Sequence, residues 1–295
     1  MNESRRTRRW RVAAAVAALA VSQVALQLGA APPASASAEK ITAVSATNSV
    51  SPKVVTAHCP EGESIIGGGG TAAPSTFAGL SALMLTGLVP FHNSDGDGFT
   101  AVAFERQPGL ADNWSLYAYA LCGTPVNPVE IVSATTDPSS ARFTATAAAC
   151  PSGKRVLSTG ALVNFTNGAV GLQLNRSDGP LTISRATARE DAAGYDGYWS
   201  LTSYAVCVRP IGQINRGTVV FDSAVGNFTC PLTPVPRHGY VPTFVTGVNG
   251  GAGLTDGAGA VFLRVVYPAD NLRDVTVAMT GIPANGMAVG AICVP

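Results

Sequence analysis

Apolar and polar side chains alternate along several short segments of this chain, and a period of two predicts β-strands. In 114–122 every second residue, namely Trp, Leu, Ala, Ala and Cys, is apolar, and 199–207 keeps most of this pattern. The segments 142–146 and 261–267 are also typical of strands, because Gly, Pro, Asn and Asp bound them. No segment after residue 38 has a helical period of 3.6. The pattern predicts a nearly all-β protein in which the face with Trp and Cys is buried.

The six cysteines divide the chain into three similar units. Within successive pairs they are 63, 57 and 63 residues apart, and the first of each pair precedes a proline. The segments 114–122 and 199–207 share six of nine residues, and 44–47 is identical to 132–135. Similarity at a regular spacing is typical of an internal repeat. The predicted repeats, of about 80 residues each, span 39–125, 126–210 and 211–295.

The cysteine spacing also predicts the disulfides. Six cysteines allow 15 pairings, and the regular spacing favours pairing within each repeat. The predicted disulfides are Cys59–Cys122, Cys150–Cys207 and Cys230–Cys293. Each is expected to link the first strand of its repeat to the last, and in the chain-entropy description a loop of this length stabilises a fold by roughly 4 kcal/mol.

Each repeat is too small and too rich in glycine to bury a hydrophobic face alone. Three such units are expected to pack around one pseudo-threefold axis, as a single domain over 39–295. A β-prism-like arrangement fits three equal β units best. A β-trefoil-like or a propeller-like arrangement is the alternative.

The first 38 residues have the three parts of an export signal: several arginines, an apolar run at 12–21 and the small residues at 36–38. The ten-residue run is too short to cross a bilayer, which needs about 20 residues. We therefore predict a signal peptide over 1–38, no membrane span, and a secreted, extracellular protein. An even number of cysteines fits such an oxidising compartment.

Composition and charge exclude several classes of protein. The chain has 19 basic and 18 acidic residues, but five of the basic residues and one of the acidic residues lie in the first eleven. The remainder carries 14 basic and 17 acidic residues, and its sequence predicts no basic patch for phosphates. Nucleic acid is therefore excluded as a partner. With 46% hydrophobic residues and no heptad pattern, the chain is neither disordered nor a coiled coil.

Two repeats open on Cys-Pro-x-Gly, at 59–62 and 150–153, and a glycine-bearing strand follows each, with four successive glycines at 67–70 and a single Gly160. In these features the chain resembles exported repeat proteins of high-GC bacteria and, more remotely, the vitelline membrane outer layer protein family. The resemblance implies a threefold β-prism and, loosely, contact with carbohydrate. A fold alone does not give a function.

The segment 194–199 carries the best candidates for ligand binding. Tyr195 and Tyr198 offer flat apolar rings for stacking against a sugar, and Asp196 offers an acceptor for its hydroxyl groups. These three residues have no counterparts in the first repeat, whereas Trp199 aligns with Trp114 and is expected in the core. The alternative is a surface loop with a hydrogen-bonded tyrosine and no ligand.

A candidate metal site consists of Asn93, Asp95 and Asp97, which stand at alternate positions like the ligands in the first half of a calcium loop. The twelfth position, where that loop requires a glutamate, is Phe104. A hydroxyl residue followed by Asp-Gly occurs in every repeat, at 94–96, 177–179 and 255–257. A hairpin turn with glycine at positive φ is the simpler interpretation. No cofactor is expected.

Catalytic motifs are few. The histidines His58, His92 and His238 do not recur between repeats, and the sequence has no Gly-x-Ser-x-Gly elbow, no zinc-protease motif and no phosphate loop. Glu190 and Asp191 are adjacent, and adjacent residues of a strand point to opposite faces, so they do not converge on a glycosidic bond. A solvated loop is expected for this pair.

These observations favour a non-enzymatic binding or adhesion protein that contacts extracellular polysaccharide or another cell-surface component through loops on a rigid β scaffold. Two alternatives stay open. One is an extracellular hydrolase with a site around His92 or His238 at one end of the axis, so the sequence does not decide whether the protein is an enzyme. The other is a self-assembling coat component, because a mean hydropathy of +0.25 and 13% charged residues leave few surface charges.

Overall fold

The computed structural model describes residues 38–94, 96–124, 127–235, 239–252 and 261–295. The predicted signal peptide, apart from Ala38, lies outside these residues, as do Asp95 and His238. In the described part, the regular structure is β except for one 3-10 turn at Phe77–Ser81, which confirms the all-β prediction. No helix among the described residues has the length and apolar character needed to cross a membrane.

The strands follow one another in the same order in each repeat. Repeat 1 forms β1 (Ala38–Val44), β2 (Lys53–His58), β3 (Ser64–Pro74), β4 (Leu83–Asn93), β5 (Gly96–Glu105) and β6 (Trp114–Gly123). Repeat 2 forms β7 (Glu130–Thr135), β8 (Phe143–Ala149), β9 (Arg155–Asn164), β10 (Val170–Ser177), β11 (Ile183–Glu190) and β12 (Ser200–Val208). Repeat 3 forms β13 (Ile214–Val220), β14 (Val225–Thr229), β15 (Leu232–Val235), β16 (Gly239–Pro242), β17 (Phe244–Ala252), β18 (Leu263–Pro268), β19 (Asp274–Met279) and β20 (Met287–Val294).

Eighteen of the described strands form three six-stranded sheets, each with three strands from one repeat and three from another, and the additional strands β15 and β16 of repeat 3 pair only with each other. Sheet A has the order β1-β6-β3-β18-β19-β14, sheet B the order β2-β5-β4-β9-β12-β7, and sheet C the order β13-β20-β17-β10-β11-β8. The repeats therefore exchange strands cyclically around one axis. This arrangement confirms the β-prism, since the units of a propeller would each form a sheet of their own.

The glycine-rich strand β3 is explained by close approach of the repeats. A Cβ atom on Gly67 would lie 1.5 Å from the carbonyl oxygen of Thr246, and one on Gly69 would lie 2.0 Å from that of Val266. Both carbonyl groups belong to repeat 3, so a side chain at either glycine would separate the strands.

The core lies between the three sheets and follows the predicted periodicity. The face of β6 that begins with Trp114 and ends with Cys122 is fully buried, and so is the matching face of β12, which Trp199 precedes. Strands β4, β10 and β18 each bulge at one equivalent residue, namely Thr86, Gln173 and Arg264. The shared bulge fixes the structural alignment of the repeats.

The three predicted disulfides are confirmed, with one in each repeat. The expectation that they begin on the first strand was wrong. Cys59 follows β2, in sheet B, whereas Cys122 lies on β6, in sheet A. Each disulfide therefore joins two sheets.

All three disulfides lie at one end of the prism, called here the disulfide end. The opposite end, called the loop end, carries the β1–β2, β3–β4 and β5–β6 connections and their equivalents in the other repeats.

Two short sequence matches are not structural matches. Glu39 pairs with Cys122 and Glu130 with Cys207, so Val44 corresponds to Thr135 rather than to Val132. The identical segments 44–47 and 132–135 are therefore three residues out of register. Asn93 of β4 pairs with Gly96 of β5, which has φ +105°, as the predicted hairpin requires. In the matching β10–β11 turn it is Leu181, at φ +59°, rather than Gly179 that has positive φ, and 255–257 falls outside the described residues.

The third repeat departs from the others after its first cysteine. In repeats 1 and 2 the Cys-Pro-x-Gly segment is a tight turn, with Gly62 at φ +83° and Gly153 at φ +80°. In repeat 3 the two-stranded β15–β16 hairpin follows Cys230 instead. The turn requires glycine because its last central residue adopts the left-handed conformation.

Candidate functional site

The loop end exposes a cluster of large apolar side chains. Phe77 is 91% exposed, Phe165 70% and Tyr198 69%. The other exposed large apolar residues at or near this end are Val44, Val50, Val54, Val219, Phe221, Val225 and Ile282. Leu232, near the disulfide end, is the exception among the described residues. A concentration of exposed apolar side chains at one end of a protein favours a contact surface there.

Tyr195 braces two of these connections. Its hydroxyl donates a hydrogen bond of 2.8 Å to the carbonyl oxygen of Phe165, which joins the β11–β12 connection to the β9–β10 connection. Its ring covers Gly197, where a Cβ atom would lie 2.6 Å from the Tyr195 ring. Phe165 has φ +62°, an unusual conformation for a bulky residue. The brace therefore holds the Phe165 backbone while its side chain points to solvent.

The predicted ligand-binding residues play different parts. Tyr198 and Asp196 are exposed, whereas Tyr195 is half-buried and packs against the core. Trp199 is fully buried, as expected from its alignment with Trp114. The arrangement presents one tyrosine ring, one carboxylate and the Phe165 ring on braced connections. A flat apolar ring beside a hydrogen-bond acceptor suits a sugar ring, which has an apolar face and hydroxyl edges.

Two buried tryptophans are each fixed by a glutamate nine residues earlier. The Trp114 indole donates to Glu105 at 2.7 Å, and the Trp199 indole donates to Glu190 at 3.2 Å. The solvated loop expected for Glu190 and Asp191 was wrong, because both residues are buried. The equal spacing of nine was the signal in the sequence. Glu190 is therefore a structural acceptor.

All three repeats contribute to the centre of the loop end. The Arg106 guanidinium lies 5.0 Å from the centre of the Phe262 ring and donates to the Ser81 carbonyl oxygen at 3.1 Å. Burial lowers the pKa of Arg106, and the negative charge of Asp191 partly opposes that shift. Asp191 accepts backbone hydrogen bonds from Ala193 at 2.9 Å and Gly194 at 3.2 Å. These contacts give the connections a fixed base.

Two of the candidate calcium ligands, Asn93 and Asp97, lie at the disulfide end, and Asp97 is already engaged by the protein. Its Oδ2 atom accepts a hydrogen bond of 2.8 Å from the Ile65 amide, and its Oδ1 atom contacts His92 Nδ1. Asp95 lies outside the described residues. Among the residues that the structure describes, no three His, Cys, Asp or Glu side chains gather as metal ligands do. Calcium binding therefore stays an untested alternative to the hairpin turn that the sequence favours.

The two histidines that the structure describes, His58 and His92, lie at the disulfide end rather than among the exposed aromatic residues of the loop end. His92 pairs with Asp97 at the disulfide end, and the exposed His58 packs edge-on against Phe91 with ring centres 5.5 Å apart. His238 lies outside the described residues. No family model and no curated protein matches this chain. The function therefore has to be inferred from the geometry of the loop end and of the sheet faces.

Proposed function

We propose that this protein is a secreted, non-enzymatic binding protein that recognises carbohydrate of extracellular or cell-surface material through its loop end. The concentration of exposed aromatic and aliphatic side chains at that end carries the proposal. Phe77, Phe165 and Tyr198 offer stacking faces from two repeats, and Asp196 offers an acceptor for sugar hydroxyl groups. Fixed aromatic rings lose little conformational entropy when a ligand stacks on them.

The scaffold supports this function in two ways. Three disulfides tie the sheets together at the opposite end. The stability of the prism therefore does not depend on the exposed surface of the loops. The resemblance to the vitelline membrane outer layer protein family implies the same prism and favours a carbohydrate ligand. Secretion is supported by the export signal at 1–38; amino-terminal sequencing of protein from the culture medium is expected to begin at Glu39.

The proposal is tested by retention of the purified, oxidised protein on insoluble polysaccharides and cell-wall preparations. The double variant Phe165→Ala/Tyr198→Ala removes two stacking faces and is expected to reduce retention at least about tenfold, because each aromatic contact contributes about 1 kcal/mol or more. Tyr195→Phe removes only the brace hydroxyl and is expected to have a smaller effect. Leu232→Ala, an exposed apolar residue near the other end, is the matched control.

The outcomes separate three functions. Retention that the double variant loses and Leu232→Ala keeps supports a carbohydrate-binding loop end. Absence of retention on every surface contradicts the proposal. In that case sedimentation at rising concentration tests the coat alternative, which the same apolar cluster favours, and His92→Ala tests the hydrolase alternative against any activity that is detected.

A further inference from the structure

A polar groove of about 650 Å³ crosses the outer face of sheet C. Strands of repeats 2 and 3 form it, and the side chains that define its chemistry are Arg176, Arg185, Asn215 and Asn249, with Arg216 at its edge on β13. The sequence predicted no basic patch, because these arginines are scattered along the chain. The fold brings them together in a groove that includes none of the loop-end aromatic residues Phe77, Phe165 and Tyr198.

The three arginines have no carboxylate partner. In the part of the chain that the structure describes, no ion pair involves Arg176, Arg185 or Arg216, and all three are exposed. Arg176 and Arg185 also lie directly opposite each other on β10 and β11. Like charges at such positions destabilise a sheet, so the pair has to be explained by something other than stability.

The other two sheets show that the fold does not require these charges. Arg176 is the third residue after the bulge of β10, and Arg185 is its cross-strand partner. On β13, Ile214 pairs with Cys293 of β20, and Arg216 follows Ile214 by two residues. The equivalent residues are Tyr267, Thr276 and Ile41 in sheet A, and Val89, Thr100 and Val132 in sheet B. Sheet C alone of the three places arginine at these positions.

The groove exists because a side chain is missing from its floor. Gly290 lies three residues before Cys293, where the other two repeats have Tyr119 and Tyr204. It faces Gly217 on β13, and a Cβ atom on Gly290 would lie 2.3 Å from the Arg216 carbonyl oxygen. The two glycines let the backbones approach and leave open the space that the tyrosines cover elsewhere.

The polar groups of the groove are held in place. The Asn249 side-chain amide donates to the Asn215 side-chain oxygen at 3.1 Å, and its own oxygen accepts the Ser177 amide at 3.0 Å. The carboxylate in the groove, Asp178, already accepts two backbone amides and the Thr182 hydroxyl. Its oxygens are therefore engaged within the β10–β11 turn, and among the described residues it forms no ion pair with an arginine of the groove.

The groove continues along the sheet in both directions. A second depression of about 360 Å³ shares Asn215 and Arg216 with it and adds Arg155. A third, of about 270 Å³, shares Arg176 and Arg185. The arginines thus line one extended trough, and an extended trough suits a chain-like ligand better than a compact one.

We propose that this trough binds an anionic glycan chain, whose carboxylate or phosphodiester groups pair with Arg176 and Arg185. Arg216 pairs with the buried Ala291 across β13 and β20 and adds positive charge at the edge of the trough without lying on the same face. Guanidinium groups bind both kinds of oxyanion in bidentate fashion, and the fixed amides of Asn215 and Asn249 recognise the hydroxyl groups between them. The site is independent of the aromatic loop end.

The test measures binding of the full protein to polygalacturonate, to its fully methyl-esterified form and to poly(glycerol phosphate). The methyl ester keeps the sugar backbone and loses the charge, so it is expected not to bind. The double variant Arg176→Gln/Arg185→Gln is expected to weaken binding to the charged polymer by about tenfold or more, since each charge-assisted contact is worth roughly 1.5–3 kcal/mol. The control Lys154→Gln/Arg209→Gln removes the same net charge outside the groove, from an exposed arginine and a surface lysine whose partner Glu130 is itself partly exposed, and is expected to leave binding nearly unchanged.

The melting temperature of the same variants distinguishes a binding role of Arg176 and Arg185 from a structural role. Because Arg176 and Arg185 repel each other, their replacement is expected to raise the melting temperature at low ionic strength while binding falls. Preference between the two charged polymers identifies the oxyanion. Equal binding of the methyl ester, equal loss with the control pair, or tighter binding of single-stranded DNA than of either polymer would each overturn the proposal. Retention at the loop end is measured separately with Phe165→Ala/Tyr198→Ala.

Discussion

The outer faces of sheets A and C occupy equivalent places in the prism and are built in opposite ways. On sheet A the Lys40 ammonium lies 4.4 Å from the centre of the Tyr267 ring and 5.2 Å from that of Tyr119, and it also contacts Asp270. On sheet C the position of Lys40 holds Asn215, and that of Tyr119 holds Gly290. One face is filled and its charge is paired; the other is open and its charges are unpaired.

The difference shows which parts of the prism determine the fold. The inward side chains, the bulges and the disulfides recur in all three repeats, because the sheets must meet around the axis. The outward positions carry an aromatic cluster in one sheet and arginines in another without changing the strand order. Function is therefore expected at positions where equivalent residues differ, rather than where the repeats agree.

The largest expected effect on stability comes from removing a disulfide, in one variant from sheet A and in a second variant from sheet C. Cys59–Cys122 holds β6 of sheet A, Cys230–Cys293 holds β20 of sheet C, and both close the same sequence separation of 63 residues. Each double Cys→Ala variant is expected to lose about 4 kcal/mol in urea unfolding. Polygalacturonate binding is expected to fall only in the second variant. An equal fall in both would show that the groove does not depend on the local order of sheet C.

The next largest effect is expected from a substitution that fills the groove of sheet C. Gly290→Tyr restores the side chain of the other two sheets, but its Cβ atom would lie 2.3 Å from the Arg216 carbonyl oxygen. The variant is expected to lose about 3 kcal/mol of stability and its binding of charged polymer. Gly179→Ala, at the rim of the groove with open space around the new Cβ atom, is the control and is expected to change stability by less than about 0.5 kcal/mol. Binding that survives in Gly290→Tyr would contradict the role of the floor.

Alkaline pH is expected to reduce the stability that Tyr119 contributes on the outer face of sheet A. Burial raises the pKa of Tyr119 from its ordinary value of 10 to about 12. The unfolded chain then ionises first, so this contribution to stability is complete below pH 10 and is lost as pH rises through 12. Urea unfolding between pH 9 and pH 12 is expected to show a shallower decline for Tyr119→Phe than for the native protein. The same decline in both proteins would assign the pH dependence to another group.

The smallest effect concerns the paired lysine. Lys40 has only 7% of its side chain exposed and lies against two tyrosine rings, so Lys40→Met is expected to cost about 1 kcal/mol, and the loss is expected to persist in 1 M salt. Lys154 forms a surface ion pair with Glu130 at 2.6 Å. Lys154→Met is expected to cost less than about 0.5 kcal/mol, and that loss is expected to disappear in 1 M salt. Equal salt sensitivity would argue against the cation–π contact.

Cysteine spacing and residue alternation were sufficient to predict the repeats, the disulfides and the buried faces of β6 and β12. They were insufficient to predict which sheet a strand joins. Strands of different repeats pair over short stretches, such as Val266 with Gly70, and no local pattern marks such a contact. The identity of 44–47 and 132–135 even pointed to the wrong register, because short polar segments near strand ends recur without occupying the same place.

The candidate sites differ in how far the sequence could locate them. Tyr198 and Asp196 were chosen because they have no counterparts in repeat 1, and their exposure agrees with that choice. The hydrogen bond of Tyr195 agrees with the alternative of a loop with a hydrogen-bonded tyrosine, but its acceptor, Phe165, could not be predicted because it lies 30 residues away. The arginine groove was missed because its charges come from two repeats and its floor is defined by an absent side chain at Gly290.

Strand exchange between repeats also sets an order of events during synthesis. Both cysteines of each disulfide belong to the same repeat, so oxidation is expected to proceed repeat by repeat as the chain emerges. Sheets A and C, in contrast, stay incomplete until repeat 3 is available, since each takes three strands from it. The incomplete sheets present open edges, which pair readily with other chains. The last third of the polypeptide therefore acts as the closing segment that protects the first two from association with neighbouring molecules.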